Sequence, residues 1–579
     1  MIHLAKTFSK AWWLTAGIDN LTGDSANNTF IGDGTFTSAA DQINGGAGTD
    51  TFNYFVAAAG GAVALPQLNA VENVNLVGIT TAVEANFSTA VGLQQVTLKN
   101  TTTAGNSITL GAGVAAGLDN VKIAAGAAGA TLAAFIGSAS QTAATLNVVN
   151  GTNVAGIVDL QGAALTTLNV VSAAGAANTI GSLQSTTGTE TTLNVSGAGD
   201  LTINAVGASL TTINASAATG KTVINAAGTN NVTYTGGAGN DTIKFGATQL
   251  TAADVLDGGA GIDTLSILDV TAPYAAINAA KNFEALGLGA AITVDAAQLT
   301  SLKAFSLEAD AVQTISNMAT GSTVAVTTAH AANINLSSAT GVHDLGLTIG
   351  AAGKAGVTVG TISVGQTNIA LSSLGDGATG NTIAKLGNAE NSVITVTGNN
   401  NLTITDALVG TTIGSKVDAS ALTGKLSVTG SAQNDILIGG SNDDTLGGGA
   451  GVNTLTGGAG KDLFVITGSV YGDVATAKNV TTITDFVKGT DKLVSGVALP
   501  TALAKVAVTE LTLELALGEI AAKAATATTA AWGVFGGNTY VVAGDADAGL
   551  TAADVVVKLA GTVDLGTTVG DVFAVVAVA

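Results

Sequence analysis

Aspartates recur at nine-residue intervals between residues 430 and 465, each preceded by glycines. Asp435, Asp444 and Asp462 stand at the sixth position of units of the form G-G-x-G-x-D-x-U-x, in which U is apolar, and the third unit has the neutral Asn453 there. Glycine permits the positive-φ backbone of a tight turn and lets an ion approach the chain. Carboxylate and carbonyl oxygens are the ligands that Ca²⁺ prefers. The spacing therefore predicts calcium sites on successive turns.

These four tandem units resemble the RTX, or haemolysin-type calcium-binding, repeat family. In that family the first six residues of each unit bind Ca²⁺ and the last three form a strand of a parallel β-roll. The resemblance implies that Asp435, Asp444 and Asp462 are calcium ligands and that the site at Asn453 is weaker or missing. The other candidate ligands in this block are Asp443, Gly440, Gly458 and Gly460.

Single copies of the unit occur far from the tandem block, beginning at Gly45, Gly236 and Gly258. Two longer blocks, 38–50 and 251–263, align with one another at a constant offset, and each is followed by a similar segment, at 71–76 and 282–286. This duplication predicts two related modules, each opened by a calcium block. The candidate ligands in these copies are Asp41, Asp50, Asp241, Asp254, Asp257 and Asp263.

Short apolar segments recur between the aspartate blocks. Leu-Asn-Val or Ile-Asn-Ala triplets begin at residues 146, 168, 193, 203, 213 and 224, and a similar series runs through Phe305, Ile315, Val324, Ile334 and Leu345. Strands about ten residues apart also suit a β-sandwich. We favour an all-β parallel solenoid, or β-roll, because stacking rewards similar residues at equivalent points. The Asn residues are expected to form an amide stack.

The C-terminal region has different patterns. Residues 510–525 are rich in helix formers, although the alternation in their first half could equally be a strand. The segment 483–493, with candidate ligands Asp485 and Asp491, and the β-rich stretch after it resemble the cap of RTX domains in type I-secreted proteins. The tail 571–579 is similar to the uncleaved signal of that pathway. Asp545-x-Asp547 is similar to part of a calcium loop, without the final Glu of an EF-hand.

These patterns divide the chain into five predicted segments. They are an N-terminal segment at 1–16, a first solenoid module at 17–235, a second at 236–429, the tandem repeats at 430–468, and a cap with the secretion signal at 469–579.

Composition and charge restrict the function. The 579 residues carry a formal net charge of −21, and all 19 basic residues are Lys. A nucleic-acid partner is therefore not expected, because phosphate binding needs a basic surface. The chain has no Cys, hence no disulfides, and no apolar run long enough for a transmembrane helix. The apolar stretch in residues 1–17 is too short for a cleaved secretory signal.

Catalytic motifs are missing from the sequence. It contains no H-E-x-x-H zinc motif, G-x-S-x-G elbow or P-loop, so we expect no enzymatic activity. His3, His330 and His343 lack Cys partners and are expected at surface or turn positions. Asp443 and Asp444 could imitate a glycosidase carboxylate pair, but their place in a tandem repeat favours calcium.

The expected function is that of a secreted surface-layer (S-layer) protein that folds and self-assembles into a two-dimensional lattice on extracellular calcium. The type I secretion machinery and outer-membrane lipopolysaccharide are the other expected partners. Two alternatives share the fold: an RTX adhesin or biofilm matrix protein, and a hydrolase that uses the repeats only for export. A further alternative for each Asp is that it is simply a turn former.

Overall fold

The computed structural model describes residues 11–56, 60–123, 131–226, 228, 231–466, 480–495, 500–524, 529–544, 549–551 and 554–574. The chain forms two compact units. One comprises Met1–Asp269 and Pro273–Leu286, and the other comprises Val270–Ala272 and Gly287–Ala579. The five-segment division stays a prediction.

The first unit is a parallel β-solenoid. One sheet has twelve strands, in the order β1 (Ala11–Trp13), β3 (Thr29–Asp33), β5 (Thr51–Phe55), β8 (Asn73–Val77), β10 (Gln95–Lys99), β12 (Ala115–Asp119), β15 (Ala143–Val149), β17 (Thr167–Ser172), β19 (Thr192–Gly197), β21 (Thr212–Ala218), β23 (Thr233–Thr235) and β25 (Val255–Asp257). A second contains β6 (Gly61–Ala62), β9 (Val83–Asn86), β11 (Asn106–Thr109), β13 (Lys122–Ile123), β14 (Thr131–Ile136), β16 (Asn153–Gln161), β18 (Asn178–Gln184), β20 (Leu201–Ile203), β22 (Thr222–Asn225), β24 (Thr242–Phe245) and β26 (Thr264–Ile267). A short third sheet contains β2 (Asn20–Thr22), β4 (Gln42–Asn44) and β7 (Gln67–Asn69). Helix α1 (Tyr274–Ala279) follows these strands, and β27 (Ala285–Leu288) begins at the end of this unit.

The second unit repeats this architecture. One sheet runs in the order β28 (Ile292–Asp295), β30 (Gln313–Met318), β32 (Ile334–Ser338), β34 (Thr358–Val364), β36 (Asn381–Gly387), β38 (Leu402–Ile404), β40 (Leu426–Thr429), β42 (Thr445–Gly447), β44 (Leu463–Ile466) and β46 (Lys492–Ser495). The other runs through β29 (Ala304–Leu307), β31 (Thr323–Val326), β33 (Asp344–Ile349), β35 (Asn368–Ser373), β37 (Val393–Gly398), β39 (Lys416–Leu422), β41 (Ile436–Ile438), β43 (Thr454–Thr456) and β45 (Thr481–Ile483). Its last elements are β47 (Ala502–Val506), α2 (Leu513–Ala521), β48 (Thr529–Phe535), β49 (Asn538–Ala543) and β50 (Val555–Leu559).

Equivalent residues of successive coils stack in register. Leu168 pairs with Leu193, which pairs with Ile213, and all three are fully buried. Strands about 4.8 Å apart place these side chains in direct contact, so each coil covers the apolar face of its neighbour. The predicted parallel solenoid is confirmed, and the series from Phe305 to Leu345 alternates between the two sheets as β29 to β33.

The predicted Asn stack forms only in part. Asn194 donates its side-chain N–H to Asn169 Oδ1 at 2.9 Å, and Asn214 is next in register. Asn147, in contrast, pairs with Val171, because β15 is offset by two residues relative to β17. The triplets at 203 and 224 lie on the opposite sheet.

A β-rich cap closes the second unit, as predicted. β48 and β49 pair antiparallel, β49 pairs antiparallel with β50, and β50 joins β45 in parallel. Helix α2 lies within the predicted 510–525, so the helix and not the strand is correct there. Its Leu517 and Ile520 pack in a buried cluster with Tyr540 and Val542. Asp545, Asp547 and the last five residues of the tail lie outside the described residues.

Two further expectations concern histidines and the membrane. His343 is exposed next to β33, as expected, whereas His330 is fully buried, so its predicted surface position is wrong. His330 is drawn inside because its backbone joins the ladder, accepting from Gly360 N–H at 2.7 Å. His3 lies outside the described residues.

No helix in the part of the chain that the structure describes has the length and hydropathy of a membrane span.

Candidate calcium sites

The repeat aspartates lie inside the turns and not in bulk water. Each of the following side chains is at most 2% exposed: Asp41, Asp50, Asp241, Asp263, Asp435, Asp444 and Asp462. A buried carboxylate is costly unless it is hydrogen-bonded or paired with a cation. The hydrogen-bond partners of these carboxylate oxygens therefore indicate which turns have an oxygen left to bind calcium.

One column of hydrogen bonds joins the tandem repeats to the cap. The backbone N–H of Asp444 donates to Asp462 Oδ1 at 2.9 Å, and that of Asp462 donates to Asp491 Oδ1 at 3.1 Å. Asp444 itself accepts from Leu426 N–H at 2.6 Å and from Gly440 N–H at 2.5 Å. Each carboxylate thus connects its own turn to the coil before it.

The opposite column contains Asn453. Asp435 accepts from Ser415 N–H at 2.5 Å and from Ser431 N–H at 2.7 Å, and its own N–H donates to Asn453 Oδ1 at 2.8 Å. The Asn453 amide nitrogen then donates to the Ala450 carbonyl at 3.1 Å. The amide N–H thus occupies a turn carbonyl, and the weaker or missing site at Asn453 stays a prediction.

The isolated copies continue the same pattern in the first unit. Asp241 N–H donates to Asp263 Oδ1, and Asp263 N–H donates to Glu284 Oε2, both at 2.7 Å. Asp50 N–H donates to Glu72 Oε2, also at 2.7 Å. Sequence reasoning did not select Glu72 and Glu284 as site residues. The signal that could have found them is the similarity of the segments after the two aligned blocks.

Two of the repeat aspartates each have a side-chain oxygen without a hydrogen-bond partner. Asp50 Oδ2 and Asp263 Oδ2 are both buried and unpartnered. Each faces a glycine whose side-chain position is occupied by oxygen: a Cβ on Gly45 would lie 1.8 Å from the Ala70 carbonyl oxygen, and one on Gly258 would lie 2.0 Å from that of Asn282. A buried, unsatisfied carboxylate oxygen beside carbonyl oxygens suits a hard divalent cation, so these residues fit Ca²⁺.

The pKa values show the cost of these positions in the absence of a cation. Burial raises the pKa of Asp263 to about 6, with additional repulsion from Asp241 and Glu284. Burial likewise raises the pKa of Asp462 to about 6, with repulsion from Asp491 and Asp444. A bound Ca²⁺ would remove both penalties, since it favours the ionised carboxylate.

The remaining predicted ligands differ in position. Asp41 accepts backbone N–H groups on both oxygens, as its equivalent Asp254 does. Asp485 accepts from Gly457 and Gly458 at 2.9 and 2.8 Å. Asp443 points outward and forms an ion pair with Lys425. Asp257 accepts from Gly259 N–H and Asn282 Nδ2, and Gly460 shapes its turn with φ 135°.

Within the described ranges, no three His, Cys, Asp or Glu side chains converge as a metal cluster. A calcium site here would therefore combine one or two carboxylates with backbone carbonyl oxygens, as the glycine-rich turns allow. The calcium ligation of the individual residues stays a prediction.

Comparison with known proteins agrees with this geometry. The profile of the RTX calcium-binding nonapeptide repeat matches four stretches, at residues 37–54, 228–247, 251–266 and 428–464. No curated protein matches the chain. The stacked turns, their buried aspartates and these four matches together show that the chain is a parallel β-solenoid that carries RTX calcium-binding nonapeptide repeats.

Proposed function

We propose that the chain is a secreted S-layer protein, a non-enzymatic structural component that folds on extracellular calcium and assembles into a two-dimensional lattice. The observation that carries this proposal is the pair of buried, unpartnered oxygens of Asp50 and Asp263 in columns of carboxylates that join successive coils. Calcium at such positions would tie coils together and make the fold depend on the ion.

The proposed mechanism couples folding to location. Free calcium is low in the cytosol, so the buried carboxylates would be uncompensated and the chain would stay competent for export. Outside the cell, sites with a Kd of about 10⁻⁴–10⁻³ M would fill. Because the ion binds only the folded state, filling stabilises that state by mass action.

Charge supports the assembly step. Copies with a net charge of −21 repel one another at low ionic strength. Calcium between acidic surfaces would reduce this repulsion and allow lattice contacts. We include export by a type I system, supported by the resemblance of residues 483–493 to RTX caps, and anchoring on lipopolysaccharide by the N-terminal segment.

Electron microscopy of the purified full-length chain tests the proposal. We expect ordered sheets in millimolar CaCl₂, dispersed protein after addition of EGTA, and sheets again when calcium is restored. MgCl₂ at the same ionic strength is the control for general charge screening. Dispersed monomers under all conditions would refute lattice formation.

One observation favours the adhesin as a second candidate. The face of the three-stranded sheet forms an open groove lined by amide and hydroxyl side chains, among them Asn20, Gln42, Asn44, Gln67 and Asn69. Convergent amides can bind sugar hydroxyl groups. Binding of a glycan array by the calcium-loaded chain, lost in Gln42→Ala with Gln67→Ala, would favour this function.

A further inference from the structure

Two glutamates occupy equivalent places in the first unit, outside the four stretches that match the repeat family. Glu72 follows Asp50 by one coil and Glu284 follows Asp263 by one coil, and the Oε2 atom of each accepts the aspartate N–H at 2.7 Å. At the equivalent point of the other columns, the acceptor on the next coil belongs to Asp, Asn or Thr.

The aspartates bonded to these glutamates differ from three of those in the other turns; Asp462 shares the difference, since Gly458 N–H donates to Asp485 Oδ2 at 2.8 Å. Asp241, Asp435 and Asp444 each accept on Oδ2 the N–H of the residue four positions earlier, at 2.5–2.7 Å. The equivalent N–H groups near Asp50 and Asp263 bond elsewhere. Gly46 donates to Asn44 Oδ1 at 3.3 Å, and Gly259 donates to Asp257 Oδ1 at 3.1 Å.

This rearrangement leaves one oxygen of each aspartate free for another partner. Asp50 Oδ2 lies 2.6 Å from the Cβ position of Gly45, and the Ala70 carbonyl oxygen lies 1.8 Å from the same point. The other copy has the same arrangement. Asp263 Oδ2 lies 2.9 Å, and the Asn282 carbonyl oxygen 2.0 Å, from the Cβ position of Gly258.

The backbone brings the glutamate to this point. Ala70 and Asn282 have φ values of 48° and 54°, and each is followed two residues later by the glutamate. The carbonyl oxygen, the free aspartate oxygen and the glutamate carboxylate thus belong to one turn and the coil after it. A turn-forming role explains the bonded Oε2 but not the buried, unpartnered Oδ2.

We infer that Glu72 and Glu284 are calcium ligands that complete two sites, with Asp50 and the Ala70 carbonyl in one and Asp263 and the Asn282 carbonyl in the other. The two carboxylates of each site balance the charge of one Ca²⁺. This assignment rests on the calcium-dependent folding proposed above, and it places the ligands one coil beyond the repeat motif.

Calcium titration of the full chain by isothermal calorimetry tests the assignment. Glu→Gln keeps the oxygen that accepts the aspartate N–H and removes only the charge. We expect Glu72→Gln and Glu284→Gln each to lose one calcium per chain, or to weaken one site about tenfold or more. Glu84→Gln, at an exposed position on β9 in the same unit, is the matched control and should bind as wild type.

A double variant separates ligation from a general charge effect. Asp50→Asn with Glu72→Gln should lose the same single calcium as either change alone, because both side chains belong to one site. Far-ultraviolet circular dichroism in calcium reports whether each variant folds. If a variant loses calcium because it is unfolded, Glu72→Asp provides the check, since it restores the charge and should recover binding.

The outcomes distinguish this assignment from the proposed function. If wild type binds calcium and the Glu→Gln variants bind as many ions as tightly as Glu84→Gln, the glutamates are not ligands although the function stands. If the variants lose calcium ions but wild type forms no sheets in calcium, the proposed lattice is refuted and the assignment of the glutamates as ligands stands. If wild type binds no calcium, both are wrong.

Discussion

The backbone N–H of Asp444 donates to Asp462 Oδ1 at 2.9 Å, and both carboxylates are at least 98% buried. The two residues lie 18 positions apart, one coil from each other. A carboxylate on one turn therefore helps to fix the register of the coil before it. Burial raises the pKa of both carboxylates, and repulsion adds to the shift, from Asp443 at Asp444 and from Asp491 and Asp444 at Asp462.

The first prediction concerns Asp462→Asn and pH. The folded-state pKa of Asp462 is about 6 against an ordinary 3.8, so the carboxylate destabilises the calcium-free fold above pH 6, and this penalty disappears as pH falls toward 3.8. In calcium-free buffer at pH 7.5 the variant should therefore melt above wild type, and the difference should shrink by pH 4.5. In millimolar calcium the order should reverse, because the variant lacks a ligand.

Thermal melts followed by circular dichroism measure this crossing. Asp443→Asn is the matched control, since that neighbouring carboxylate is exposed and paired with Lys425. The same order of melting temperatures with and without calcium would contradict a role for Asp462 in binding the ion.

The second prediction is a gain of function at Asn453. Asn453→Asp restores the carboxylate of the third tandem unit and replaces an amide that donates to the Ala450 carbonyl. Without calcium the variant should lose about 1–3 kcal/mol, because the carbonyl loses its donor and a charge is buried. With calcium it should bind one more ion than wild type, measured by equilibrium dialysis. An unchanged ion count would show that this turn cannot form a site.

The third prediction concerns a turn outside the stretches that match the repeat family, in which an amide bonds to the coil before it. Asn381 is fully buried, accepts from Val357 N–H at 2.9 Å and donates to the Ile349 carbonyl at 3.0 Å. Asn381→Ala should lower the free energy of unfolding by about 1–3 kcal/mol, equally with and without calcium. Asn368→Ala, at an exposed position on β35, is the control. A calcium-dependent loss would contradict a role of this amide that consists only of hydrogen bonds between coils.

The fourth prediction concerns His330. The side chain is fully buried, and burial lowers the pKa of this imidazole, partly opposed by Asp310 and by a backbone hydrogen bond at Ala311. The unfolded chain therefore takes up a proton below about pH 6.5 that the folded chain resists, so this group reduces stability as pH falls. His330→Leu should gain stability relative to wild type between pH 7.5 and 5.5.

Chemical denaturation at the two pH values measures the difference in unfolding free energy between His330→Leu and wild type. The other titrating groups are the same in both proteins, so their contributions cancel in this difference. His343→Leu, at an exposed position, is the control. An equal stability difference at both pH values would show that His330 does not titrate on unfolding.

The sequence by itself determined the features that follow from local spacing. The glycine-aspartate units specify turns, the segments about ten residues apart specify strands, and residues 510–525 contain a helix. These follow from short-range chemistry: the conformational freedom of glycine, the alternation of apolar residues, and helix propensity.

Only the tertiary structure decided how residues of different coils meet. The hydrogen-bonded columns join residues separated by 18 positions at Asp444, 22 at Asp50 and 29 at Asp462. Because the coil length varies, the spacing of residues along the sequence does not reveal that Glu72 meets Asp50 or that Asn147 is out of register. It also does not reveal that His330 is buried. Register is a non-local property, because it is set by the simultaneous packing of both sheets and not by the order of residues along one coil.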